Sequence, residues 1–134
     1  MTDWNKHLQG AIKNIPAKPT QLQAFDIQTA SAPEFLRGSI PIMRQLVANL
    51  ESVDAIRKSS FICEWGNYFT SPPQATLYLE VNDTPSQRLR FTWYPGRGMF
   101  LENVHSSESI PTPTADRATK IALQRFALQL KNSQ

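Results

Sequence analysis

Apolar residues recur along this chain with two different periods, and the places where the period changes mark its elements. Over residues 2–14, Trp4, Leu8, Ala11 and Ile12, with Ile15 just beyond, fall at helical spacing on one face. Thr2 or Asp3 can cap that helix through a side-chain oxygen, and Pro16 ends it. Residues 16–32 interrupt the pattern with a polar stretch in which Leu22, Phe25 and Ile27 stand out. A structureless run of that length is long for a compact domain. The expectation is an extended strap pinned onto the core by Phe25 and Ile27; the alternative is a linker that leaves residues 1–15 as a detachable arm.

The strongest helical signal covers residues 33–59. A first turn from Ala32 to Arg37 precedes Gly38, and Ser39 is placed to cap a new start with Pro41 in its first turn. Met43, Leu46, Val47, Leu50, Val53 and Ile56 then form one stripe, with Arg44, Glu51, Arg57 and Lys58 opposite.

Beyond residue 60 the period becomes two. Phe61, Cys63 and Trp65 alternate with Ile62 and Glu64; Gly66-Asn67 reads as a turn, and Ser71-Pro72-Pro73 as a break. Ala75, Leu77, Leu79 and Val81 share one face of the next run, with Thr76, Tyr78 and Glu80 on the other. After the turn Asn82-Asp83-Thr84-Pro85, Leu89, Phe91 and Trp93 face one way and Arg88, Arg90, Thr92 and Tyr94 the other. Pro95-Gly96-Arg97-Gly98 makes a second hairpin turn, and Met99 to Val104 closes the meander. Residues 105–113 read as a loop. Thr114 then caps a final helix whose inner face is Ala118, Ala122, Leu123, Phe126 and Leu130.

The order is α-α-β-β-β-α. It predicts an α+β fold: an antiparallel meander sheet of three to five strands, packed on one face by two or three helices, with the second face partly solvated. Residues 1–32 read as an N-terminal helix plus connector or strap, and residues 33–134 as the core domain.

Composition narrows the class without naming an activity. The chain has 134 residues, 40% of them hydrophobic and 10% aromatic, which suits one domain with one core. Ten prolines against five glycines favour stiff, extended connections. No stretch approaches the ~20 apolar residues of a membrane span, and Met1-Thr2-Asp3-Trp4-Asn5-Lys6 lacks the apolar core of a signal peptide. Cys63 is the single cysteine, which excludes an intramolecular disulfide and a multi-cysteine metal site. Together these lead to the expectation of a cytoplasmic protein with no membrane partner, cofactor or metal. The net charge of +3 is compatible with a nucleic acid, an acidic protein partner or no particular partner.

The candidate surfaces come from alternation. Arg88, Arg90, Thr92 and Tyr94 line the outer side of one strand, with Tyr78 across the hairpin and Arg97 at its tip. Planar cationic and aromatic groups on an open sheet stack bases or grip phosphates, and they also make protein-binding hot spots. The simpler reading is a wet face on which Glu80 pairs with Arg88 or Arg90. On the last helix, Arg117, Lys120, Gln124 and Lys131 form a stripe with Arg125 beside it, a pattern able to track a phosphate backbone or simply to face solvent.

Helix, three-stranded meander, helix resembles the order of double-stranded-RNA-binding domains, and Ala115-Asp116-Arg117-Ala118-Thr119-Lys120-Ile121-Ala122-Leu123 resembles the alanine-rich rhythm of their final helix. Where that family places a lysine cluster, this chain has Thr114-Ala115-Asp116, and its strand-linking loops differ as well, so the resemblance does not extend to membership.

His105, near Glu102, Ser106, Ser107 and Glu108, is the weak catalytic candidate, for general acid–base cleavage of RNA without a metal. The chain carries no HExxH, nucleophile elbow or phosphate-binding glycine loop. Cys63, alternating with Phe61 and Trp65, reads as a buried structural thiol. Trp4 is a candidate docking residue or a core residue.

The functional expectation is a non-enzymatic binding or accessory protein of adaptor, inhibitor or immunity type, acting on a protein partner. Its surface would comprise Tyr78, Arg88, Arg90, Tyr94 and Arg97. The alternatives are RNA or DNA binding through that face together with the basic stripe at Arg117, Lys120 and Lys131, and a small nuclease using His105.

Overall fold

A computed structural model describes residues 20–68, 73–103 and 106–132, with Asn67, Tyr68, Lys131 and Asn132 described by backbone alone. The alternating runs form one five-stranded antiparallel sheet whose spatial order follows the chain: β1 Ile62–Tyr68, β2 Gln74–Glu80, β3 Leu89–Tyr94, β4 Gly98–Asn103 and β5 Glu108–Pro111. Helices α1 (Gln21–Thr29), α2 (Ser39–Glu51), the short α3 (Asp54–Arg57) and α4 (Ala115–Asn132) complete the α+β fold.

The core lies between the helices and one face of the sheet. Cys63, Trp65, Leu77, Leu79, Phe91, Met99 and Leu101 supply the sheet side. Phe25, Leu36, Met43, Leu46, Val47, Leu50, Ile56, Ala118, Ala122 and Phe126 supply the helical side. Met43, Leu46, Val47 and Leu50 are fully buried; at roughly 1.5–3 kcal/mol each, they contribute on the order of 10 kcal/mol before chain entropy is set against it.

Several local features differ from the sequence expectation. Residues 21–29 form a helix, not an extended strap. Thr20 and Gln23 close a capping box, with Gln23 N–H donating to Thr20 Oγ1 at 3.1 Å and Thr20 N–H to Gln23 Oε1 at 3.0 Å. Glu51, at the end of α2, accepts from the backbone N–H groups of Gln21 at 2.6 Å and Leu22 at 3.3 Å. Phe25 is fully buried as expected, whereas Ile27 is 74% exposed. The helix expected over residues 2–14, with Trp4, lies outside the described residues.

The stripe over residues 33–59 is divided. Val53 is extended (φ −89°, ψ 119°), so α2 stops at Glu51 and α3 restarts at Asp54. Ser52 Oγ donates to Asn49 O at 2.6 Å, a bond of the kind that competes with helix continuation. Ser39 sits inside the helix, donating its buried hydroxyl to Leu36 O at 2.6 Å; the cap position belongs to Gly38. A Cβ on Gly38 would meet the Trp93 ring at 3.0 Å, so glycine permits this close approach.

Gly66-Asn67 is strand, not turn: Gly66 lies opposite Thr76 and Asn67 opposite Ala75. Residues 108–111, expected as loop, form the edge strand β5, with Phe100 opposite Pro111 and Glu102 opposite Ser109. Proline is tolerated at such an edge because the ladder there needs no further N–H donor.

A candidate interface on the open face of the sheet

The residues that point away from the core fall into rows set by strand register. One row runs Glu64, Tyr78, Arg90, Glu102, Ser109, and the next runs Gly66, Thr76, Thr92, Phe100, Pro111. Arg90 therefore stands between Tyr78 and Glu102. Its Nη2 lies 3.6 Å from Glu102 Oε1, and the Tyr94 hydroxyl donates to the same carboxylate, 3.0 and 2.9 Å from its two oxygens. Burial, then the bond and the negative charge of Glu102, push the Tyr94 phenol above its ordinary pKa, against the opposing pull of Arg90 and Arg97.

The expected pairing of Glu80 with Arg88 or Arg90 does not form among the described residues. Arg90 is engaged by Glu102, and the Arg88 guanidinium lies over the Tyr78 ring, 4.6 Å from its centroid. Arg97 makes the matching arrangement at the other end of β3, 5.3 Å from the Tyr94 ring and 5.7 Å from Phe100. Tyr94 and Phe100 meet edge to face at 6.0 Å. Tyr78, Arg88, Arg90, Tyr94 and Arg97 thus share one surface. The carboxylates Glu64, Glu80 and Glu102 lie on that surface as well, so it is mixed in charge where the sequence suggested a basic face.

At the centre of the face, Thr76 and Thr92 are buried, and among the described residues neither hydroxyl, nor Arg90 Nε, has a hydrogen-bond partner. At its hairpin end, Phe35, Pro73, Tyr94, Pro95 and Arg97 line a cleft of about 290 Å³. Sequence reasoning missed Phe35, which belongs to no apolar stripe, and Phe100, whose place in the row depends on the β3–β4 register.

The stripe on α4 is partly committed to holding β5. Arg117 Nε donates to Pro111 O at 3.0 Å, and its backbone N–H to the expected cap, Thr114 Oγ1, at 3.2 Å. Arg125 pairs with Glu108 at 2.9 Å. Lys120 is exposed; the Lys131 side chain and all of His105 lie outside the described residues.

A second, larger cleft of about 760 Å³ separates the start of α1, the end of α2 and Ser60–Ile62. Two of its charged groups are already engaged: Glu51 caps α1, and Arg57 pairs with Asp54. Cys63 is buried, its Sγ donating to Gln21 O at 3.3 Å. Desolvation first, and the charge of Glu51 second, push its thiol up to about 12, which suits a structural residue and not a nucleophile. Among the described residues, no helix is long and apolar enough to cross a membrane.

Comparison with family models, with curated proteins and with solved structures finds no match. The chemistry of the surface is therefore read from its own geometry.

Proposed function

We propose that this chain is a non-enzymatic binding protein, of adaptor or inhibitor type, whose open sheet face engages a protein partner. The observation that carries this reading is the placing of guanidinium groups over aromatic rings, Arg88 over Tyr78 and Arg97 over Tyr94, with interspersed carboxylates on the same face. Arginine and aromatic side chains dominate the energetics of protein interfaces. A phosphate backbone instead selects a surface of one sign, because each neutralised phosphate releases counterions. Glu64, Glu80 and Glu102 would repel such a backbone, and Arg117 and Arg125 on α4 are tied to β5.

The test is photo-crosslinking in the native cell, with a benzophenone amino acid at Tyr78 and, as control, at exposed Gln45 on α2. A discrete adduct from position 78, absent from position 45, destroyed by protease and untouched by nuclease, is the expected result. An adduct removed by nuclease would replace this reading with nucleic-acid binding. Equal labelling from both positions would discard the open face as the interface.

A further inference from the structure

Resting on that reading, we infer that the cleft at the β3–β4 hairpin tip takes a hydrophobic side chain flanked by a carboxylate side chain, from a short segment of the protein partner. Three features lead to this ligand chemistry. The first is the cleft's wall. Phe35, Pro73, Pro95 and the Tyr94 ring are apolar surfaces, and Phe35 is 49% exposed although aromatic and large. About 290 Å³ lies just below the range for ligand pockets, roughly 300–1,000 Å³, which suits one or two side chains better than a cofactor.

The second is the cation beside that wall. Arg97 is exposed and has no carboxylate within ion-pair distance among the described residues. The face carboxylate on the neighbouring strand, Glu102, is engaged by Tyr94 and Arg90. The Arg97 guanidinium lies over the Tyr94 ring, 5.3 Å from its centroid, and the fork of its N–H groups matches a carboxylate.

The third is preorganisation. Arg97 N–H donates to Tyr94 O at 2.9 Å, closing a turn with Pro95 at its second position and Gly96 at φ +79°. Proline followed by a positive-φ glycine is the signature of a type II turn. Little conformational freedom is then left to lose when the tip engages a ligand. A phosphodiester would use the cation but leave the apolar wall empty, whereas an apolar side chain beside an aspartate or glutamate satisfies both.

The experiment titrates the ¹⁵N-labelled full chain with terminally blocked peptides in a Gly-Ser background, bearing a central Leu-Asp, Leu-Asn or Ser-Asp pair. Leu-Asp is expected to shift the amides of Phe35, Tyr94 and Arg97. Leu-Asn should bind roughly two- to fivefold more weakly, the yield of an exposed ion pair. Ser-Asp should bind roughly tenfold more weakly, through loss of apolar burial. Arg97→Gln should abolish the preference for Asp over Asn while keeping that for Leu over Ser, with spectral dispersion confirming its fold. Equal binding of Ser-Asp and Leu-Asp, an Asp preference that survives Arg97→Gln, or no shift at these amides at millimolar peptide would each overturn the inference. If the peptides fail while the adduct at position 78 persists, the cleft assignment alone falls. If position 78 gives no specific adduct, the open-face reading fails whatever the peptides do.

Discussion

Gln28 reaches from α1 to β1 and accepts a hydrogen bond from the backbone N–H of Trp65 at 2.7 Å, while Gln21 does the same for Cys63 at 2.9 Å. β1 is an edge strand, and unpaired edge N–H groups are templates for association with another chain. The two glutamines stand seven residues apart on the helix and close two of those donors.

Replacing both, as Gln21→Ala with Gln28→Ala, removes three hydrogen bonds, the third donated by Gln28 Nε2 to Cys63 O at 3.4 Å, and leaves two N–H groups unsatisfied. A loss of roughly 1–3 kcal/mol is expected, together with concentration-dependent self-association. Urea denaturation and sedimentation velocity at several protein concentrations measure the two effects. A double variant that stays monomeric throughout would show that these side chains do not hold the edge closed.

This contact also explains why α1 was not legible in the sequence. Helices announce themselves by an apolar stripe, but α1 binds the polar edge of a sheet through glutamines and contributes Phe25 as its one fully buried large side chain. β5 was hidden for a related reason: Glu108, Ser109 and Pro111 show no apolar alternation, and the strand pairs on one side only. By contrast, β2 and β3 were readable because Leu77, Leu79, Leu89 and Phe91 alternate with polar residues over a one-sided core. The same alternation put Arg88, Arg90 and Tyr94 on one surface. It could not supply their partners, because whether Arg90 meets Glu80 or Glu102 depends on register across two hairpins.

Leu46 and Phe126 are fully buried in the layer between helices and sheet. Leu46→Ala is expected to cost roughly 2–5 kcal/mol and Phe126→Ala roughly 3–5 kcal/mol, by lost burial and the cavity left behind. Chemical denaturation reads both. A midpoint unmoved by either substitution would contradict its place in the core.

The Cys63 thiol, pushed up to about 12 by burial, should be inert to alkylation in the folded protein near neutral pH. Iodoacetamide labelling followed by intact-mass measurement should show modification only as denaturant opens the fold. Rapid labelling of the native chain would mean that the thiol is accessible and ionised.

Tyr94 and Glu102 offer a test of the face that is independent of any ligand. Tyr94→Phe keeps the ring under Arg97 and removes only the hydroxyl bonded to Glu102, so a loss of about 1 kcal/mol is expected at neutral pH. The pH dependence has a definite sign. The folded phenol titrates above its unfolded value of about 10, so the contribution of the hydroxyl is complete below about pH 10 and is lost as pH rises through the folded value. Denaturation midpoints of the parent and variant should therefore differ most near neutrality and converge on the alkaline side. Cys63 titrates in the same region, but it is present in both proteins and cancels in the difference. A gap that stays constant up to the alkaline limit would mean that ionisation of Tyr94 is not linked to folding, and that the hydroxyl does not bind Glu102 in solution.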